Sequence, residues 1–215
     1  MNTKSFIACS LILLTGAANA GTLFSQPFDS TAINFTSSQN DTTGGNGNFA
    51  TVYDDFTLTS NSNVNGFSFT GAYFNPPTQG VITGFTLTFY ADSGGTPGAA
   101  IATLALSGAG SETSLGTVAG NPTFSYNLSF SAIHMSAGTY WASVVPDLGF
   151  PPQWGWGTSQ VGNFNAKQRF FGSLSSTGTN QAFDVLGAVP EPETYLLMLA
   201  GLAGVAAFAR GRKSA

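Results

Sequence analysis

The sequence predicts an all-β fold for its central part, an antiparallel β-sandwich of jelly-roll-like character, flanked by an N-terminal signal helix and one C-terminal transmembrane helix. Three observations carry this expectation. Apolar residues alternate with polar ones at period 2, and no helical stripe of any length appears before the tail. Clusters of Gly, Asn, Pro and Ser punctuate the alternation about every 8–12 residues. Charged residues make up only 7% of the chain, whereas aromatics reach 13%, enough to build a core and to argue against disorder.

The first segment is a secretory signal, residues 1–20. Lys4 precedes an apolar run from Phe6 to Leu14, and Ala18-Asn19-Ala20 forms the small-residue pattern read by signal peptidase. Cleavage after Ala20 leaves Gly21 as the mature N-terminus. Cys9, the one cysteine, departs with the signal, so the mature chain has neither disulfide nor thiolate chemistry.

Residues 21–188 make one domain of ordinary size. Phe67, Phe69, Gly71 and Tyr73 alternate with Ser68, Thr70 and Ala72. Phe85, Leu87 and Phe89 alternate with Thr86, Thr88 and Tyr90. Ala102, Leu104 and Leu106 form a third such set, and Phe124, Tyr126, Leu128 and Phe130 a fourth. Further strands are expected over Ala50–Leu58, Gly138–Val145, Gln168–Leu174 and Gln181–Leu186. Each has one apolar face for a core and one polar face for water, the antiparallel habit.

The tail, residues 189–215, has three parts in order. Pro190-Glu191-Pro192 is stiff and extended, because each proline fixes its own φ and disfavours helix at the residue before it. An uncharged run from Tyr195 to Ala209 predicts a helix over about 194–209, with Thr194 as N-cap. At ~1.5 Å per residue the run covers roughly 22 Å against a hydrocarbon core of ~30 Å, so it anchors marginally. Arg210, Arg212 and Lys213 form a basic stop over residues 210–213, which sets the C-terminus in the cytoplasm.

This arrangement resembles the PEP-CTERM sorting signal of exopolysaccharide-producing Gram-negative bacteria, with Pro190, Glu191 and Pro192 as the tag. The resemblance implies recognition by exosortase, a membrane Cys protease-transpeptidase that cuts near the tag. An ordinary C-terminal anchor with a proline-rich stem is the plainer alternative. More loosely, Asp54–Leu58, Gly71–Tyr73, Phe89–Asp92, Ala137–Trp141 and Trp154–Trp156 resemble a group of bacterial secreted β-sandwich domains. That likeness implies a fold and no activity.

Between Gly21 and Ala188, two cations (Lys167 and Arg169) face eight carboxylates, a net charge of −6. This excludes nucleic acid and anionic membrane surfaces as partners, since both need clustered Lys and Arg. No enzymatic activity is expected. His134 is the only histidine, and no nucleophile motif accompanies it. Asp54 and Asp55, adjacent on a strand, face opposite ways and so cannot flank one glycosidic bond.

No cofactor is expected. Asp41, Asn46 and Asn48, around Gly44–Asn48, have the oxygen chemistry for Ca²⁺ but also suit a plain turn, as does Asp92 before Ser93-Gly94-Gly95. Trp154 and Trp156, two apart on an extended strand, share one face at roughly 6.7 Å and are candidates for a sugar platform, or for core. The expected partners are signal peptidase, an exosortase-like transpeptidase, the membrane as a transient anchor, and extracellular polysaccharide. The chain therefore reads as an exported surface or matrix protein, a structural or adhesive component of exopolysaccharide or biofilm. A carbohydrate-binding module and a secreted hydrolase are the alternatives.

Overall fold

A computed structural model of the chain describes residues 21–31, 34–188, 200–202 and 205. The signal segment 1–20, the tag 190–192 and the basic stop 210–213 lie outside the described residues.

Among the described residues, fifteen strands follow one another. They begin with β1 (Gly21–Gln26), β2 (Phe35–Ser37), β3 (Gln39–Asp41), β4 (Gly47–Leu58) and β5 (Ser62–Phe74). Next come β6 (Gly84–Asp92), β7 (Pro97–Ser107), β8 (Thr113–Val118), β9 (Asn121–Met135) and β10 (Gly138–Leu148). The last are β11 (Gln153–Ser159), β12 (Lys167–Phe170), β13 (Ser173–Ser176), β14 (Asn180–Gln181) and β15 (Phe183–Ala188).

They form two sheets. In the eight-stranded sheet β5 is central, with β9 along one side and β15 then β11 along the other. The seven-stranded sheet runs β13-β12-β4-β3-β10-β6-β7. The four alternating sets identified from sequence fall on β5, β6, β7 and β9.

Three details correct the expectation. Pairing is not wholly antiparallel, because β3 runs parallel to β10. Gln168–Leu174 is not one strand but the tip of the β12–β13 hairpin, where Phe171 and Gly172 both have positive φ (44° and 85°). Two left-handed residues in a row make the tight turn that follows the twist of its strands, and a period-2 pattern cannot reveal it. Gln181–Leu186 is broken at Ala182, with Gln181 pairing on β11 and Phe183 on β5.

The sheets pack face to face through aromatic side chains. Phe67 of one sheet meets Phe89 of the other at 6.0 Å, and Phe69 meets Phe85 at 5.4 Å. Phe183 meets Phe56 at 6.2 Å. Such tilted and edge-on pairs add ~0.5–1.5 kcal/mol each beyond the area they bury.

One short segment belongs to both sheets. β2 pairs with β11 in the first, and β3 pairs with β4 and β10 in the second. β4 and β10 are directly paired from Tyr53 to Leu58 and then part, and β3 fills the gap. At the parting point the buried Ser38 hydroxyl accepts from Val52 N at 3.3 Å and donates to Val144 O at 2.5 Å, standing in for a ladder bond. Gln39 is buried beside it. Its Nε2 donates to Leu148 O and Pro152 O, and its Oε1 accepts from Trp154 N. The buried side-chain polar atoms of Ser38 and Gln39 are thereby all partnered, as a water-free interior requires.

Gly71 is a tight point of the core. A Cβ there would lie 2.0 Å from the Trp154 ring. Gly71→Ala should therefore destabilise the domain by about 2 kcal/mol or more, the upper part of the range for overpacking. Urea unfolding of the two proteins checks this; an unchanged midpoint would mean the indole can move aside.

Candidate functional site

Trp154 and Trp156 share one face of β11, as their spacing predicts. That face, however, is the inner one. Both side chains are 0% exposed. The Trp154 ring packs on Phe85 and Phe69, and its Nε1 donates to the Tyr126 hydroxyl at 3.0 Å. Trp156 packs on Phe67 and donates to Ala182 O at 3.0 Å. Neither ring offers a face to a sugar, so of the two readings open for this pair, platform or core, burial selects core. The physical reason is the apolar second sheet, which covers that side of β11.

The Asp41, Asn46 and Asn48 set also has a different role. Asp41 Oδ1 accepts the backbone N–H groups of Thr43, Gly44 and Phe150, and Oδ2 accepts Asn46 N and Nδ2. Both oxygens are thus held by N–H donors that a cation would have to displace. The amide of Gly44, then those of Thr43, Phe150 and Asn46, keep this carboxyl well below the usual range against the opposing effect of burial. Asn48 turns elsewhere and accepts from the Thr51 hydroxyl. The loop is a turn closed on a carboxylate. Asp92 does similar work, accepting Trp141 Nε1 at 2.8 Å and Gly95 N at 3.1 Å, and is lowered chiefly by the indole.

Asp54 and Asp55 do face opposite ways. Asp55 points outward and accepts two bonds from Asn163. Asp54 points into the sandwich, fully buried, and reaches the other sheet. Its Oδ2 accepts Gln181 N at 2.6 Å and, with the Gln26 side-chain amide assigned so that its nitrogen faces the carboxyl, Gln26 Nε2 at 2.9 Å, and its Oδ1 accepts Asp55 N. Burial without a cation pushes its pKa up to about 8. The alternation already marks Asp54 as the inward one, since it falls in phase with Ala50, Val52, Phe56 and Leu58, whereas Asp55 falls in phase with Thr51, Tyr53 and Thr57. His134 is exposed on β9, its Nδ1 3.2 Å from Asn63 Oδ1 on the neighbouring strand. The group it contacts is a neutral amide, neither a carboxylate nor a nucleophile.

Sequence reasoning passed over the outer face of the seven-stranded sheet. There Tyr53 and Tyr90 meet edge to face at 5.5 Å, and the Tyr90 hydroxyl lies 3.1 Å from Ser143 Oγ. Their alternation was visible, but only as the polar phase of core strands.

Of the tail, residues 200–202 and 205 are helical, with Leu202 and Val205 exposed. Among the described residues no helix is long and apolar enough to cross a membrane, and most of the expected span 194–209 lies outside them.

The two buried carboxylates act oppositely on stability. Asp54 has a raised folded pKa, so its contribution is full below its ordinary 3.8 and is lost as pH climbs to about 8. Asp41, with a depressed pKa, contributes above about 4 and loses that contribution as pH falls. Thermal unfolding should therefore peak in mild acid and decline toward pH about 8. Asp54→Asn should flatten the alkaline side, whatever its effect on the absolute Tm. An unchanged slope in that variant would rule out Asp54 as the cause.

No curated protein and no solved structure matches the chain. One family does match, over a stretch that begins where β15 ends. The chain carries the PEP-CTERM protein-sorting motif, at residues 188–213.

Proposed function

We propose that this is an exported protein, held for a time in the inner membrane by the helix expected over 194–209. An exosortase-like transpeptidase then processes it near Pro190-Glu191-Pro192, and it passes to the cell surface or extracellular matrix. There the β domain acts without enzymatic chemistry, as a structural or adhesive component associated with exopolysaccharide.

The observation that carries the proposal is the position of the motif. The last strand ends at Ala188, and the matched stretch, 188–213, begins at that residue. In sequence, the tag thus follows the last residue of the final strand within two residues. A protease-like site needs an extended chain to reach a carbonyl, and the two prolines enforce that shape. The non-enzymatic reading is supported by Asp54 and Asp55, whose carboxyls lie on opposite faces of one sheet, and by the lone, exposed His134.

Removing residues 195–215 should move the protein to a soluble exported fraction, because the domain's strands satisfy their own apolar faces. Continued integral-membrane behaviour on fractionation would sink the anchor assignment. Replacing Pro190 and Pro192 by Ala should let the helix extend backward through the tag, since alanine is the best helix former. Uncut precursor should then accumulate in the inner membrane with its domain folded. Normal release of this variant in the native host would favour the plain anchor over exosortase processing.

A further inference from the structure

We infer that the outer face of the seven-stranded sheet holds a binding trough for a neutral polysaccharide chain, with Tyr90 as its stacking platform. The inference rests on the proposed export only for where such a chain is met; the trough itself is a product of the fold.

The trough, of about 280 Å³, opens over the region where β4 and β10 part. Cross-strand register places its side chains on one face. Ser143 stands opposite Tyr53 on β4 and opposite Thr88 on β6, and Val145 stands opposite Thr86. Asn40 and Asn48 line it as well. The volume is close to the lower end for small-ligand sites, about 300 Å³.

The lining chemistry selects the ligand. No lining group is charged. Hydroxyls and amides both donate and accept, which suits a ligand rich in hydroxyls that do the same. The half-buried Tyr90 ring is braced edge-on by Tyr53 and tethered through its hydroxyl to Ser143. It is a rigid apolar plate among polar groups, the combination that fits a pyranose with its C–H face and hydroxyl rim.

Charge decides between neutral and acidic glycans. Asp55 shares the outer face next to Trp141 and Tyr90, and Asp147 bonds Asn40 at the far end, so a carboxylate stands at each end of the trough. With a net charge of −6 between Gly21 and Ala188, the field opposes a polyanion. Lys167 and Arg169 lie alongside on β12, opposite Tyr53 and Thr51. They hydrogen-bond neutral oxygens, Asn165 Oδ1 and Gly172 O.

The test is affinity electrophoresis of the protein as its native host processes and exports it. The gels contain galactomannan, xyloglucan, mixed-linkage β-glucan, polygalacturonate, or the neutral fraction of the host's own exopolysaccharide. At least one neutral polymer should retard the protein. Tyr90→Ala should weaken that retardation ~10-fold, as truncating a central aromatic anchor does. If Tyr90→Ala lowers the Tm, the volume-conserving pair Thr88→Val and Ser143→Ala carries the test, with an expected loss of ~5-fold. Lys167→Gln with Arg169→Gln should change neutral binding less than twofold.

Failure of every neutral polymer to retard the protein would overturn the inference. So would retardation that survives the trough variants, or a preference for polygalacturonate lost in the Lys167/Arg169 variant. Because binding is read on purified protein and sorting in the cell, a failure of one leaves the other standing.

Discussion

The crossing of Phe35–Asp41 from one sheet to the other is the constraint on which the rest of the domain depends. A segment that leaves a ladder in mid-sandwich exposes backbone polar groups where no water can reach them, and each orphan would cost about 1–3 kcal/mol. Ser38 and Gln39 answer this with side chains, and Asp41 closes the segment's far end on four backbone amides. Because β3 wedges between β4 and β10, those strands must separate above Ser143. The trough on the outer face and the polar bridge on the inner side are thus two consequences of one insertion. Both sheets are pinned through the same few residues, so a change at Gln39 would disturb β10, the Pro152 turn and β11 together.

A second cross-sheet tie is Asp54. Its carboxyl spans from β4 to Gln181 and Gln26 of the opposite sheet and carries no cation to offset its burial. Burial favours the protonated, neutral form of this acid. Alkaline pH removes that proton and leaves a charge in an aromatic core. Asp41 experiences the reverse, because amide donors favour its charged form. The domain therefore has its two most perturbed carboxylates tuned in opposite directions, Asp41 downward by its ring of backbone amides and Asp54 upward by burial that its own N–H donors do not offset.

Much of the fold was legible in the residues. Phe67, Phe69 and Tyr73 on β5, and Phe85, Leu87 and Phe89 on β6, are buried as their alternation predicts. Period 2 identifies a face, but it does not say what lies over that face. Hence Trp154 and Trp156 could be placed side by side from spacing alone, while their burial depended on a sheet whose arrangement no local pattern encodes. The β3 insertion was illegible for the same reason, since Ser38, Gln39 and Asn40 are all polar and carry no alternation. Tyr53 and Tyr90 are 37 positions apart in number, and only the register of β10 between them brings their rings together. The tail is the opposite case: its tag, apolar run and basic end are contiguous, so no folding step stands between sequence and meaning.

The two readings, sorting signal and trough, fit one orientation of the domain. Ala188 pairs with Asn63 and Gly187 with Gly21, so both ends of the domain meet at one end of the sandwich. β4 finishes at that end too, because Leu58 connects to β5 at Ser62 in a short turn. Tyr53 lies five residues up β4 from Leu58, about 17 Å along the strand, and Thr51 and Asn48 lie farther still. A tag that follows Ala188 directly would hold this end nearest the bilayer and turn the trough toward the outside. Processing at the tag would then free the domain without touching the trough, since no trough residue lies on β15 or β1. The separation lets binding and sorting change independently, which a site built on the last strand would not allow.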